Sequence, residues 1–210
     1  IQVDGSTIGA VANRTALFDE NGEKSADFEA VLTVDGAYKA ADFINFCDAY
    51  DIPVLSLTNV KGYAADVRSE KSIAKAVAKL TYAFANANVP KVNVITGEAY
   101  GSAYVTMNSK ALGADVTYAW PDASIGMMDA NEAAKIMYAD DIAKSADVQS
   151  VISEKAAEYA ALQSGVESAA ARGYVDTIIN PEDTRKYVAA AFEMLYTKRE
   201  DRPDKKHGTV

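Results

Sequence analysis

The sequence predicts an α/β fold in which mainly parallel strands are joined by helical crossovers, closed by a helical C-terminal region. Short apolar or β-branched runs alternate with amphipathic helical stretches as far as about Asp129. Strands separated by helices need crossover connections, and crossovers favour parallel pairing. Beyond Asp129 the pattern turns mostly helical, which implies a cap or a docking arm.

Ser6 to Val11 is small and β-branched and reads as a strand. The polar stretch Asp19 to Asp27 carries Asn21-Gly22, a turn signal. Ala30 to Val34 is a short apolar strand. Asp35 then caps a helix to about Tyr50, with Ala37, Ala40, Ala41, Ile44, Phe46 and Cys47 near helical spacing. The theme repeats. Val54 to Leu57 is a buried-type strand, Lys61-Gly62-Tyr63 a loop, and a helix from about Glu70 to Ala87 sets Ile73, Ala76, Val77, Leu80 and Phe84 on one face. Pro90 stops the helical region, and Val92 to Thr96 is the next strand. A glycine-containing loop over Gly97 to Ser102 opens a helix reaching about Leu112. Val116 to Ala119 and Ser124 to Gly126 are strands; Asp129–Tyr138, Ala146–Ala161, Val166–Ala171 and Glu182–Tyr196 are helices. Residues 197–210 form a charged tail with Pro203, read as a solvated terminus or a strap over a neighbour.

A chain of 210 residues is long enough for one large domain with a sizeable core. Its formal net charge of -9 argues against nucleic acid as a partner. No apolar run approaches the roughly 20 residues of a membrane span, and no signal peptide is visible. The single cysteine, Cys47, excludes an intramolecular disulfide and fits a reducing, cytoplasmic setting. Its apolar surroundings read as a buried helix position. The chain opens at Ile1 in what reads as structure, which favours an excised domain.

The residues exclude several chemistries. The only histidine, His207, lies in the tail, so a Ser-His-Asp triad inside the fold is improbable. Cys/His spacing of metal type is absent, as are the GxxxxGK[ST] and GxGxxG phosphate loops. Adjacent Asp140 and Asp141 read as solvated acids. Backbone chemistry remains. Two loops, Asn59–Tyr63 and Ala99–Tyr104, follow parallel-type strands, where open α/β folds bind ligands. The second opens into a helix, whose first N–H groups lack helical partners and carry part of the macrodipole. Such donors suit a developing oxyanion, such as an enolate. A small-residue loop before a helix is more often simply a tight turn, so spacing alone leaves both readings open.

At these loops the sequence resembles the C-terminal half of the biotin-dependent carboxyltransferase family, within the crotonase superfamily. Val89-Pro90-Lys91-Val92-Asn93-Val94-Ile95-Thr96 resembles the family's VPKVTVIT, and Tyr100-Gly101-Ser102-Ala103-Tyr104 its YGGAY. Met107 to Lys110, Leu112 to Asp115 and Tyr118 to Pro121 resemble MNSK…LGAD…YAWP. Gly9 to Asn13 resembles GIVAN, Phe46 to Pro53 resembles FCDAF-x-IP, Arg172 to Asp176 resembles RGYID, and the tail from Thr197 resembles TKRE…KKHG. The likeness covers nearly the whole chain in the family's order.

The resemblance implies a ββα spiral with helices outside, and a C-terminal, biotin-side domain over residues 1–210. It implies an active site shared with an N-terminal carboxyltransferase half that binds acyl-CoA, within an oligomer. Biotin would arrive on a biotin carboxyl carrier protein. The backbone N–H groups of Ser102 and Ala103 would form the oxyanion hole, with Gly62, Tyr63, Tyr100 and Gly101 lining the cofactor side. The cofactor would carry the chemistry and the protein the positioning.

Departures from the pattern fall in the same loops. The family's DVPGF reads Asn59-Val60-Lys61-Gly62-Tyr63 here, a following PG is missing, and Ser102 replaces the second glycine of YGGAY. Ser102 keeps its N–H but adds a Cβ. Val105, a candidate substrate contact, stands where Asp is common in acetyl- and propionyl-CoA carboxylases and resembles decarboxylase-type α subunits, though other families vary here too. The alternatives are a biotin-independent crotonase-type acyl-CoA enzyme, and a non-catalytic assembly domain of a carboxylase complex.

Overall fold

The computed structural model describes residues 1–145 and 147–200. Strands β1 (Gln2–Val3) and β2 (Ser6–Thr7) form a small antiparallel hairpin. Asp4 and Gly5 at its turn both have positive φ, 49° and 79°, the geometry of a tight two-residue hairpin. The predicted strand over Ser6 to Val11 is therefore split at Ile8, whose N–H donates to Ile1 O at 3.0 Å. β3 (Gly9–Ala12) then enters the main sheet. A second hairpin, β4 (Ala16–Phe18) and β5 (Lys24–Asp27), turns where Asn21-Gly22 predicts. Asp19 Oδ1 accepts from the N–H groups of Asn21 and Glu23 and holds that turn.

Next come β6 (Val31–Leu32) and α1 (Val34–Ala49). Thr33, not Asp35, is the N-cap of α1: its side chain accepts from Gly36 N–H at 3.1 Å, and Asp35 lies in the first turn. β7 (Val54–Val60) leads to β8 (Gly62–Tyr63), then α2 (Val67–Asn86), which Asp66 caps through Ser69 N–H. That bond holds the Asp66 carboxyl below its usual pKa. β9 (Lys91–Tyr100) runs into the short α3 (Gly101–Thr106), and a 3₁₀ turn covers Lys110–Leu112. β10 (Val116–Ala119) and β11 (Ser124–Gly126) follow as predicted.

The C-terminal region is helical: α4 (Ala130–Met137), α5 (Ala139–Lys144), α6 (Val148–Tyr159) running into a π-helical turn at 160–164, α7 (Val166–Ala171) and α8 (Thr184–Met194). β12 (Thr177–Ile178) lies between the last two helices. Helix α5 is absent from the sequence expectation; Asp140 and Asp141 sit exposed in its first turn. Ala146, the predicted start of the next helix, lies outside the described residues, as do His207 and the tail from 201.

The main sheet has the order β12-β10-β9-β7-β3, every neighbour parallel, with β11 pairing the far end of β9. Both faces are covered, which is why its strands read as apolar runs. Val54 and Ile95 belong to the core shared with Ile44, Leu80 and Phe84 of α1 and α2. Leu55, Val92 and Val94 belong to a second core with Val188, Ala191 and Phe192 of α8. Complete burial of a side chain such as Leu80 or Phe84 contributes about 1.5–3 kcal/mol. Cys47 is buried in the first core, and burial pushes its thiol pKa up. The start of the predicted tail is not simply solvated. Lys198 Nζ pairs with Asp115 at 2.9 Å and reaches Val89 O at 3.3 Å, strapping the chain onto its own sheet.

Candidate active site

The two predicted loops are where β7 and β9, adjacent and parallel, reach their carboxyl ends. Neither is wholly a loop. Lys61 N–H donates to Ala30 O at 2.7 Å, and Gly62-Tyr63 pair in parallel with Val31-Leu32 as β8. A proline at position 61, as in the family's DVPGF, would have no N–H for that bond. Likewise Gly97 to Tyr100 continue β9 instead of leaving it.

The pairing of β7 with β9 slips between Thr58 and Val60, and Val60 then faces Ala99. Asn59 sits at the slip, and its Oδ1 accepts from Glu98 N–H at 3.0 Å. A Cβ on Gly97 would lie 2.8 Å from that same oxygen. Gly97 is therefore a packing requirement, not a loop signal. Asn59 and Gly97 both fall in the predicted loops, but their contact across 38 residues of sequence is not visible in spacing.

Beyond Tyr100 the chain turns sharply. Gly101 has φ +58°, and a Cβ there would lie 3.0 Å from the backbone oxygen of Met127. The turn opens α3 with no side chain bonded to its N-terminus. Gly101, Ser102 and Ala103 occupy its first three positions, whose N–H groups have no partner within a helix. Tyr100 and Ala103 are buried, Gly101 is half-buried and Ser102 exposed. Val105, one turn after Ser102, is exposed on the same side of the helix.

The structure brings the two predicted segments together: Tyr63 OH donates to Ser102 Oγ at 3.0 Å. Thr106 Oγ1 donates to Ser102 O at 2.9 Å. The far end of α3 rests on a buried polar cluster. Thr58 Oγ1 lies 2.8 Å from Asn93 Oδ1 and 3.2 Å from Met107 O. Asn108, with φ +57°, donates from Nδ2 to Ser56 Oγ at 2.9 Å. Burial raises the phenol pKa of Tyr100, and pushes that of Tyr104 up to about 12. Neither ionises near neutrality. Among the described residues no group of three or more His, Cys, Asp or Glu is placed to hold a metal ion, and no helix is long and apolar enough to cross a membrane. The arrangement offers main-chain N–H groups at the start of α3, which can bind and polarise an oxygen, over tyrosines that stay un-ionised at neutral pH.

Residues 2–210 match the family model described as the carboxyl transferase domain. The chain is 50% identical over 180 residues to a putative propionyl-CoA carboxylase beta chain of Bacillus subtilis, covering 85% of this chain and 36% of that one. It is 39% identical to the methylmalonyl-CoA carboxyltransferase 12S subunit of Propionibacterium freudenreichii, over 99% of this chain and 38% of the relative. A methylmalonyl-CoA decarboxylase alpha subunit of Propionigenium modestum is also 39% identical, over 100% and 39%. In crystal structures, transcarboxylase 12S, a hexamer with methylmalonyl-coenzyme A bound, superposes with a TM-score of 0.88 at 39% identity, over 99% of this chain and 38% of that one. The chain thus spans under two-fifths of the length of these relatives. Its α/β architecture is that of the crotonase-like carboxyltransferases. By this family match and these identities, the chain belongs to the carboxyl transferase domain family.

Proposed function

We propose that this chain is the biotin-facing, C-terminal half of a carboxyltransferase that moves a carboxyl group between carboxybiotin and an acyl-CoA. The observation that carries the reading is the turn at Gly101. There β9 passes directly into an uncapped helix at the carboxyl end of a parallel sheet, next to the segment that holds Tyr63. In this reading the N–H groups of Ser102 and Ala103 hold and polarise an oxygen on which charge builds during transfer. One well-placed donor of this kind is worth roughly 2.7–4 kcal/mol.

The donor set fits biotin. A ureido oxygen asks for hydrogen-bond donors, and the turn presents main-chain N–H groups with no titrating side chain among its six residues from Tyr100 to Val105 other than the high-pKa tyrosines. When bound, biotin supplies the carboxyl group and a ureido nitrogen that can take up a proton. The chain's own residues position. Gly101 sets the direction of the two N–H groups, Gly62 and Tyr63 form the facing wall, and Tyr100 backs the turn from the core. Val105 stands where an acyl group meets the helix. Acyl-CoA, the N-terminal half and the biotin carboxyl carrier protein complete the site in an oligomer located in the cytoplasm.

The test is transfer by the full-length protein from methylmalonyl-CoA to biocytin. Carboxylated biocytin, formed in proportion to CoA ester consumed, is the expected result. Turnover of the acyl-CoA without any need for biotin would overturn the reading in favour of a biotin-independent crotonase-type enzyme.

A further inference from the structure

The residues that depart from the family's two site motifs meet each other. Tyr63 stands where the DVPGF motif ends in Phe, and Ser102 where YGGAY has its second glycine. Phe and Gly offer no hydroxyl, whereas Tyr63 OH donates to Ser102 Oγ at 3.0 Å across 39 residues of sequence. We infer that Tyr63 and Ser102 form a hydroxyl latch that fixes the first turn of α3 against β8. On the carboxyl-transfer reading, on which its role in catalysis rests, the latch positions the Ser102 and Ala103 N–H groups.

Both ends of the latch are anchored. Tyr63 lies in β8, paired with Val31-Leu32, and the preceding Lys61 N–H is bonded to Ala30 O. The loop is thus tied by a hydrogen bond that the family's proline could not make. Ser102 is held a second time through its own carbonyl, which accepts from Thr106 Oγ1; that oxygen in turn accepts from Thr81 Oγ1 of α2 at 3.4 Å. The substitutions at 61, 63 and 102 act together: stiffness that proline would give the loop is replaced by hydrogen bonds, one of them placed on the residue whose N–H faces the ligand. Ser102 is tolerated because it sits on the exposed side of the second position of α3. Gly101 beside it carries the positive φ that a Cβ would strain.

The experiment uses the full-length protein with Tyr63→Phe, Ser102→Ala, the double variant and Ser102→Thr. Hydrogen exchange is read on a peptide covering residues 101–106, and transfer kinetics from methylmalonyl-CoA to biocytin. Loss of one hydrogen bond at an exposed site predicts roughly two- to fivefold faster exchange and a similar fall in kcat, with KM unchanged. Each single variant should show it, the double variant should lose no more than either single, and Ser102→Thr should restore wild-type values. Losses that multiply in the double variant, or exchange that no variant alters, would overturn the latch. Coupled exchange changes in a protein that transfers nothing to biocytin would keep the latch and overturn the carboxyl-transfer reading instead.

Discussion

Replacing Gly101 with alanine places the largest strain at the proposed donors with the smallest chemical change. Gly101 has φ +58°, in the left-handed region, which costs a residue with a Cβ about 1–2 kcal/mol. The new Cβ would also lie 3.0 Å from Met127 O, a backbone atom with little room to give. Met127 follows β11, which is paired to the end of β9 through Gly126 and Tyr100, so relief must shift either that strand or the start of α3. The two effects together set an expected stability loss of about 2 kcal/mol. A shift of α3 also misdirects Ser102 and Ala103 N–H, and weakening one such donor predicts kcat at least about tenfold lower. Denaturant unfolding measures the first quantity and carboxyl transfer to biocytin the second, both on the full-length protein. Gly62→Ala is the matched control for stability alone, since Gly62 lines the proposed cofactor side: nothing of the chain lies within 4 Å of a Cβ there, and its φ is not positive. That variant should be neutral, or more stable by about 0.4–1 kcal/mol through the unfolded chain. Wild-type stability and kcat in Gly101→Ala, or equal stability losses in both variants, would refute the reasoning.

Thr58→Val removes the shorter of two hydroxyl bonds to Asn93 Oδ1, the other coming from Ser56, and the hydroxyl at Met107 O; stability should fall by about 1–3 kcal/mol, and kcat should fall with it because Met107 closes α3. Buried Tyr104 has its pKa raised to about 12 by desolvation. Its folded pKa lies above the unfolded value near 10 because the fold penalises the ionised form, so stability that is intact below pH 10 falls by roughly 3 kcal/mol as pH rises from about 10 to 12. Tyr104→Phe should remove this part of the alkaline loss and, because the buried hydroxyl has no hydrogen-bond partner among the described residues, raise neutral stability by about 1 kcal/mol; unfolding curves across that pH range check both. Cys47, buried with its thiol pKa raised, should resist alkylation until denaturant unfolds the chain, as a thiol-counting reagent would register.

What was legible in the sequence was local. Val116–Ala119, Ser124–Gly126 and Val166–Ala171 were bounded correctly because period and apolar content agree there with the packing. The misses have non-local causes. Thr33 is β-branched and reads as strand, yet its hydroxyl caps α1. Gly97 reads as a loop residue because glycine weakens strands, but in β9 it admits Asn59 from the neighbouring strand. Lys61 to Tyr63 gain strand character only from Val31 and Leu32, some thirty residues earlier. Helix α3 stops at Thr106, short of the predicted Leu112, where Asn108 takes positive φ and turns its amide to Ser56. The candidate site was legible as motifs, Tyr63 and Ser102 among them, but their hydrogen bond was not, since spacing carries no information on contact across elements.

A site built from main-chain N–H groups cannot be tuned by exchanging the side chain that bears them, so its accuracy depends on whatever holds the backbone. Here three holds converge on α3, a helix of six residues. The turn at Gly101 is confined by Met127 O, the hydroxyl of Tyr63 reaches Ser102 from β8, and Thr58 reaches Met107 O from within the sheet. The three come from different elements, and none is an acid, a base or a nucleophile of the ordinary kind. On the proposed reading, this is why a search for an internal histidine or a catalytic carboxylate pair finds no signature in the sequence. It also has a kinetic consequence. Substitutions in the buried Thr58–Asn93–Asn108 cluster should lower kcat more than KM although they touch no ligand, because they change where the donors point without removing a binding contact.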